Sequence, residues 1–236
     1  MNEKVDETRK NVWVMFNRIA HRYDLLNRLL SFRQDVVWRN KLVKFLPPGN
    51  DLFVLDVATG TGDVLISLFK HSNKIKQAIG IDMAEKMLDI GREKLKSLKL
   101  DKKISMQKGD ATDIRLDESF DVATISFGIR NVNNLNLAIQ NLHRILKPGG
   151  RVLVLEFSLP HNHLLKRLYL FYFRKVLPRI GALISGDCYA YNYLNQSVES
   201  FPFGEDFCTI LTENGFRNVG FHPLTFGIAS IYYGDK

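Results

Sequence analysis

The chain has 236 residues, 45% apolar and 25% charged, enough to bury one large core without disulfides or metals as staples. That profile excludes a disordered or collagen-like chain, and no apolar run reaches the roughly 18 residues of a transmembrane helix. Net charge is +8, from 33 Lys and Arg against 25 Asp and Glu, which suits nucleic acid, an anionic membrane or an anionic ligand and is also compatible with ordinary solubility.

Residues 1–10 are polar and of mixed charge, without the apolar stretch of a secretory signal. Residues 1–50 read as a basic helical cap that ends at the Pro47-Pro48-Gly49 turn. Residues 51–157 alternate short apolar strands with helical stretches. Strands are expected at 52–57, 78–82, 104–107, 121–126 and 151–156. Helices are expected at 63–70, 84–98 and 135–146, the last stopped by Pro148-Gly149-Gly150. Residues 158–236 are aromatic-rich and less regular, and complete a single domain. The alternation predicts an α/β fold with a doubly wound, mostly parallel sheet, whose ligands bind at the carboxyl ends of the strands. Cys188 and Cys208 lack metal-type spacing, so no metal site is expected and a reducing cytoplasm is the simplest compartment.

The chemistry concentrates at successive strand ends. Asp56-Val57-Ala58-Thr59-Gly60-Thr61-Gly62-Asp63 closes the first strand, and Gly60 and Gly62 permit a tight turn with close backbone approach to a ligand. It is not a P-loop, and Leu65 stands where a dinucleotide fingerprint has its third glycine. Asp82 ends the second strand and can accept both hydroxyls of a ribose, cap the following helix, or do both. After the third strand, Asp110 can accept from an adenine amino group while the Ala111 backbone meets a ring nitrogen. It can equally be a turn aspartate. Ser126 ends the fourth strand over the same crevice. Ribose- and base-type groups without a phosphate device fit S-adenosylmethionine better than NAD or ATP.

Longer stretches resemble a family. They are residues 15–27, including Tyr23-Asp24, then Leu30-Ser31-Phe32 with Trp38-Arg39, the Gly-rich turn, and residues 125–132 with Phe127-Gly128-Ile129-Arg130-Asn131-Val132. Pro148-Gly149-Gly150, Leu155-Glu156-Phe157-Ser158, Tyr193-Leu194 with Ser197, and Gly215-Phe216 follow. From about residue 12 to the end the chain resembles the class I S-adenosylmethionine-dependent methyltransferases that C-methylate quinone precursors in menaquinone and ubiquinone biosynthesis. Leu30-Ser31-Phe32 and Phe226-Gly227-Ile228 are closer to menaquinone-type members. The resemblance implies a class I fold with a lid helix region and a cofactor site at Thr61, Asp82, Asp110, Ala111 and Ser126 above Gly60 and Gly62. It implies methyl transfer to a ring carbon of demethylmenaquinol, with a ubiquinone-precursor benzoquinol as the alternative acceptor. Three positions depart from the pattern. Arg33 stands where Gly is frequent, Tyr232 where His is common, and Asp110 where some members have Asn. The first two bear on substrate fit.

Such a reaction needs a phenol made acidic beside the methyl donor. Arg130 can stabilise a phenolate or orient a water, and Asn131 can orient a ring oxygen. The alternative for Arg130 is a surface salt bridge. Tyr23, Asp24 and Asn27 share one helical face and either cap the site or pack helices. His21 and His143 are expected to face solvent. Residues 164–177 predict an amphipathic helix with Leu165, Leu168, Tyr169, Tyr172 and Val176 on one stripe, Lys166, Arg167, Arg174 and Lys175 opposite, and Phe171 among the basic residues. From 157 to 186 there is no acid. This helix is read as a lid over the pocket of a lipid-soluble isoprenoid hydroquinone, with or without peripheral contact to an anionic membrane at the inner face of the cell membrane. No nucleic-acid partner is expected, and a homodimer is compatible with the sequence. An RNA or protein methyltransferase on the same core, or a non-catalytic binding subunit, are the readings of other classes.

Overall fold

The computed structural model describes residues 12–117, 119–177, 179 and 188–236, without the side chains of 188–192, so residues 1–10 and the Cys188 side chain lie outside the described part. Helices α1 (Val12–Leu30) and α2 (Gln34–Lys41) lead through a short 3-10 turn into strand β1 (Leu52–Val57). Then come α3 (Asp63–His71), β2 (Ile75–Asp82), α4 (Glu85–Ser97), β3 (Ile104–Lys108), β4 (Phe120–Ser126), α5 (Leu135–Ile145) and β5 (Leu146–Phe157). Helices α6 (His163–Phe171), α7 (Cys188–Ser200) and α8 (Glu205–Glu213) precede β6 (Arg217–Leu224) and β7 (Ala229–Asp235).

The seven strands form one sheet in the order β3-β2-β1-β4-β5-β7-β6. Strands β1 to β5 pair in parallel, and β7 runs antiparallel between β5 and β6. The central strands are largely buried on both faces, as their mostly apolar sequence requires, with Asp56 and Thr124 buried as a hydrogen-bonded pair. One core lies between the sheet and α5 and α8, where Ile139, Leu142 and Leu211 meet Phe120 and Tyr232. The other lies under α2, α3 and α4, where Trp38, Leu65 and Leu88 meet Val54 and Leu153. The chain order reverses between β1 and β4, which opens the crevice at their carboxyl ends where ligands bind in such sheets.

One expectation needs correction and another widening. Pro148-Gly149-Gly150 does not stop a helix reaching residue 146. Helix α5 ends at Ile145, and the tripeptide lies inside β5. Leu146 pairs with Phe120 and Arg151 with Val122, so residues 147–150 bulge from the ladder, with Gly149 left-handed at φ 78°. Gly149 N–H donates to the Lys236 carbonyl and Lys236 N–H to that of Gly150, which ties the bulge to the end of the chain. The lid helix presents the expected stripe, since Leu165, Leu168, Tyr169 and Tyr172 line a cavity beneath it, with Leu165 and Leu168 at the exposed rim. The stripe is wider than expected. Phe173 and Leu177, which were not on it, are buried against Met15, Leu159 and Tyr193, and Tyr169 and Leu170 pack beside them. The helix widens into a π-helical turn at Tyr172–Val176, which rotates its inward face away from a strict 3.6-residue register.

Candidate functional site

Two adjoining cavities lie at the carboxyl ends of the strands. The smaller, of 180 Å³, is walled by the ends of β1, β2, β3 and β4, including Gly60, Asp82, Asp110, Ala111, Ser126 and Asn131, and is roofed by α1. The larger, of 420 Å³, lies between α1, α2, α6 and α7 and contains Arg130 in its wall. Phe16, Tyr23 and Phe127 line both, so two occupants would meet across these three rings.

Local bonds explain the smaller cleft. The backbone turns left-handed at Ala58 and at Gly60, with φ of 52° and 55°. Asp82 fixes that turn from the neighbouring strand. One carboxylate oxygen accepts from Gly60 N–H and the other from Ala84 N–H, each at 2.8 Å. Asp82 therefore holds the turn and braces the entry to α4 through Ala84, but it does not cap the helix, whose N-cap is Ala84 with no side-chain cap bond. Burial raises its pKa, against the pull of those N–H groups. Beneath it, Asp56 is buried and accepts from the hydroxyls of Thr59 and Thr124 at 2.7 and 2.5 Å. Burial pushes the Asp56 carboxyl up to about 7. Asp110 accepts from the Thr112 N–H and hydroxyl, closing a turn at the cleft wall. Gly128 lies so close to the β1 turn that a Cβ there would come within 2.5 Å of the Ala58 Cβ. The Ser126 hydroxyl is buried with no hydrogen-bond partner. An unpartnered donor and two carboxylates in one small cleft fit the hydroxyls and amino group of a nucleoside such as S-adenosylmethionine.

Thr61 and Gly62 do not reach this wall. The Thr61 hydroxyl donates to Asp24 and accepts from Lys94, both at 2.8 Å. Lys94 also pairs with Asp24 and Asp63, and Arg28 reaches Asp63 at 3.1 Å, so charges from α1, α3 and α4 clamp the helical cap to the Gly-rich turn. Tyr23, Asp24 and Asn27 thus divide their work. Tyr23 and Asn27 line the larger cavity, while Asp24 ties α1 to the turn.

Arg130 is not on the surface. It lies in the 3-10 turn after β4, buried, with one nitrogen 2.7 Å from the fully buried Glu156 of β5 and 2.6 Å from the Phe127 carbonyl. Its guanidinium sits 5.3 Å over the Phe157 ring. Burial raises the Glu156 carboxyl, while the Arg130 charge and the Phe157 and Arg130 N–H groups pull it down. Asn131 turns the other way, into the smaller cleft, and accepts a hydrogen bond from the Tyr193 hydroxyl at 3.1 Å. The neighbours Arg130 and Asn131 therefore face adjacent cavities. A second buried pair, Arg39 with Asp35, also lines the larger cavity, and Arg39 stacks on Phe127.

Neither cavity includes His21 or His143. His21 is exposed, whereas His143 is half-buried with the Phe216 ring packed edge-on to it, so it does not fully face solvent. Tyr232 does not bear on substrate fit either. It is buried in the core against Phe207 and Phe221, and its hydroxyl accepts from Gly204 N–H. Glu156 and Lys94 escaped attention as partners of site residues. The signal available for Glu156 was an acid inside an otherwise apolar strand, which requires a buried partner. Among the described residues no group of His, Cys, Asp and Glu could hold a metal, and no helix is long and apolar enough to cross a membrane.

The model of the ubiE/COQ5 methyltransferase family matches residues 2–236. A ubiquinone/menaquinone biosynthesis C-methyltransferase UbiE from Geotalea daltonii is 44% identical, with 99% of each chain covered. A demethylmenaquinone methyltransferase from Porphyromonas gingivalis is 38% identical over 96% of this chain and 93% of its own. One from Bacteroides fragilis is 40% identical over 94% and 91%. Among solved structures, an S-adenosylmethionine-dependent methyltransferase from Thermotoga maritima, described as a possible histamine N-methyltransferase, superposes with a TM-score of 0.65 at 23% identity over 95% of this chain and 99% of that one. At such identity the superposition speaks for the fold alone. By the family match and the curated relatives together, this chain belongs to the ubiE/COQ5 methyltransferase family and is an S-adenosylmethionine-dependent C-methyltransferase of class I fold.

Proposed function

We propose that the protein methylates a ring carbon of demethylmenaquinol, giving menaquinol. The observation that carries this reading is the apolar 420 Å³ cavity that abuts the nucleoside-type cleft across Phe16, Tyr23 and Phe127. Its walls include Met15, Leu26, Leu30, Trp38, Phe157 and Phe173, which suit a fused aromatic ring and the start of an isoprenoid tail better than a polynucleotide or a peptide.

In this reading Gly60, Asp82, Asp110, Ala111 and Ser126 hold S-adenosylmethionine, which supplies a methyl carried on a sulfonium sulfur. Thr61 and Gly62 contribute through the shape of the turn. Arg130 acts on the acceptor. Its charge, held by Glu156 and the Phe127 carbonyl, lowers the cost of ionising the ring hydroxyl that faces it. Glu156 consumes part of that charge, so Arg130 acts as an oriented dipole and donor more than as a bare cation. Asn131, fixed by Tyr193, orients groups where the two cavities join. Trp38 and Phe127 exclude water from the reacting ring.

The mouth of the larger cavity also supports access from lipid. Phe32 is 76% exposed, Phe226 79% and Leu168 58%, and all three line the cavity. Arg33 and Arg167 beside them are exposed and basic. The reading is of a cytoplasmic protein that touches the anionic inner face of the membrane with this rim, α6 included, and draws the hydroquinone from it.

The test is anaerobic methyl transfer from labelled S-adenosylmethionine to reduced demethylmenaquinol in anionic vesicles, with a reduced ubiquinone-precursor benzoquinol in parallel. Label in the naphthoquinol is expected. Label in the benzoquinol alone moves the protein to the other branch of the family. No label in either, with the methyl donor bound, rejects a quinol acceptor.

A further inference from the structure

Four tyrosines line the larger cavity: Tyr23, Tyr169, Tyr172 and Tyr193. Three have an evident partner for the hydroxyl. Tyr23 engages Asn27, Tyr172 donates to the Leu30 carbonyl at 2.9 Å, and Tyr193 donates to Asn131. Tyr169 does not. Its hydroxyl is buried without a hydrogen-bond partner, one of few such side-chain atoms among the described residues. A phenylalanine would fill the same space without that cost, because the ring already stacks on Phe173 at 5.1 Å. The hydroxyl also lies within the electrostatic reach of Arg130 and Glu156. Tyr169, Phe173, Phe157 and Arg130 form one continuous wall, from stacked ring to ring to overlying guanidinium. Another unpartnered buried atom, Arg130 Nε, belongs to the same wall.

We propose that Tyr169 is a substrate-recognition residue, its hydroxyl donating a hydrogen bond to an oxygen on the acceptor ring while Arg130 addresses that ring from the same wall. The proposal rests on the quinol-pocket reading and adds to it the residue that tells an oxygenated ring from a bare aromatic hydrocarbon. A buried donor left unsatisfied in the free protein is satisfied when an oxygen-bearing ring binds, so such a ring gains a hydrogen bond that a bare hydrocarbon does not. Burial keeps the phenol protonated and hence a donor at any working pH. Its position on α6 also makes ring recognition dependent on the lid being seated.

The experiment is a binding cycle read by quenching of tryptophan fluorescence, since Trp38 lines the cavity. Wild type and Tyr169→Phe are each titrated, with S-adenosylhomocysteine present, with a short-tailed 2-prenyl-1,4-naphthoquinone and with 2-prenylnaphthalene, which has no ring oxygen. The expected result is roughly a tenfold loss of affinity for the quinone in the variant and unchanged affinity for the hydrocarbon. The melting temperature should stay the same or rise, because an unpaired buried hydroxyl has been removed. Equal affinities of both proteins for the quinone overturn the proposal, as does an equal loss for quinone and hydrocarbon, which would mean a purely structural role. If neither ligand quenches either protein, the cavity is not a naphthoquinone site and the proposal falls with the functional reading. Methyl transfer by wild type to demethylmenaquinol separates the two cases, since activity with an unaltered Tyr169→Phe sinks only the recognition role.

Discussion

The two cavities share a wall but are built on different principles. The smaller is made of strand ends, and its polar groups are held by bonds to the local backbone, such as Asp82 to Gly60 and Ala84. The larger is made of helix faces brought together from distant parts of the chain, and its polar groups are held by each other, as Arg130 is by Glu156. Backbone-anchored groups tolerate loss of a neighbour. Mutually anchored buried charges do not, because removing one leaves the other unpaired in a poorly solvated place.

The largest effect should follow from breaking that mutual anchor. Arg130→Ala is expected to lower kcat/KM for the quinol by about 10²–10³-fold and, through the stranded Glu156, to cost about 3–5 kcal/mol of stability. Pairing Arg130→Met with Glu156→Gln should return the urea midpoint close to wild type without returning turnover. S-adenosylmethionine affinity should change little in the double variant. A tenfold loss there would mean the two cavities are not separable.

Asp82→Asn is the converse. It weakens one of two backbone bonds and the charge available to ribose hydroxyls, so S-adenosylmethionine affinity by calorimetry should fall about 10- to 100-fold. Naphthoquinone binding by tryptophan quenching should stay near wild type. If both fall together, the Gly60 turn governs the helical cap as well, through the clamp of Thr61, Asp24 and Lys94.

Asp56 sharpens the contrast through pH. Its carboxyl sits at about 7 in the folded protein, against an ordinary value near 4 in the unfolded chain. The folded state therefore holds the proton more tightly. Its stabilising contribution is full below about pH 4 and is lost as pH rises through about 7. Asp56→Asn keeps both threonine contacts, since either hydroxyl can reverse its role, and removes the titration. The stability difference between variant and wild type should therefore grow in favour of the variant from pH 4 to pH 8. The gain is up to about 4 kcal/mol, because each pH interval of one between the unfolded and folded values is worth about 1.4 kcal/mol. A difference that is flat with pH would mean that Asp56 carries no raised pKa.

The same division explains what could be read from the chain. The cleft was legible because each of its devices is local: a glycine turn after an apolar strand, and an acid at the next strand end. Both roles offered for Asp82 depend only on residues close to a strand end, and its bonds to Ala84 and Gly60 leave its remaining lone pairs for a ligand. The larger cavity was legible only in pieces. Tyr23 and Asn27 could be placed on one helical face, but that Asp24 would leave them for Thr61 depends on how α1 crosses the sheet. The stripe of α6 was legible, since four of its five residues line the cavity, but Phe173 and Leu177 were not, because helical periodicity assumes an even winding that the π turn breaks. Tyr232 looked like a substrate determinant, and only the antiparallel pairing of β7 with β5 and β6 places it in the core. Tyr169 read as one more apolar-stripe residue, since an unpartnered hydroxyl is a property of the assembled wall.

Arg33 offers the smallest and most specific test. It adopts φ of 62°, a left-handed conformation that is costly with a Cβ and free for glycine, which accounts for glycine being frequent there in the family. Phe32 before it has φ of 52°, so this bend is what projects the Phe32 ring outward beside the cavity mouth. Arg33→Gly relieves the strain but adds freedom to the unfolded chain, and a net gain of about 0.5–1 kcal/mol is expected, as a higher urea midpoint with unchanged slope. The same change removes one basic group from the exposed rim of the larger cavity. If that rim meets lipid as proposed, binding to anionic vesicles should weaken by about 1 kcal/mol, or roughly fivefold. Arg33→Ala separates the two effects. It loses the charge and keeps the strained backbone, so vesicle binding should fall as far as in the glycine variant while stability stays near wild type. The strained arginine would then stand as stability given up for membrane affinity at the mouth of the larger cavity. Vesicle binding unchanged in both variants would instead place the rim away from the membrane and leave α6 as a lid alone.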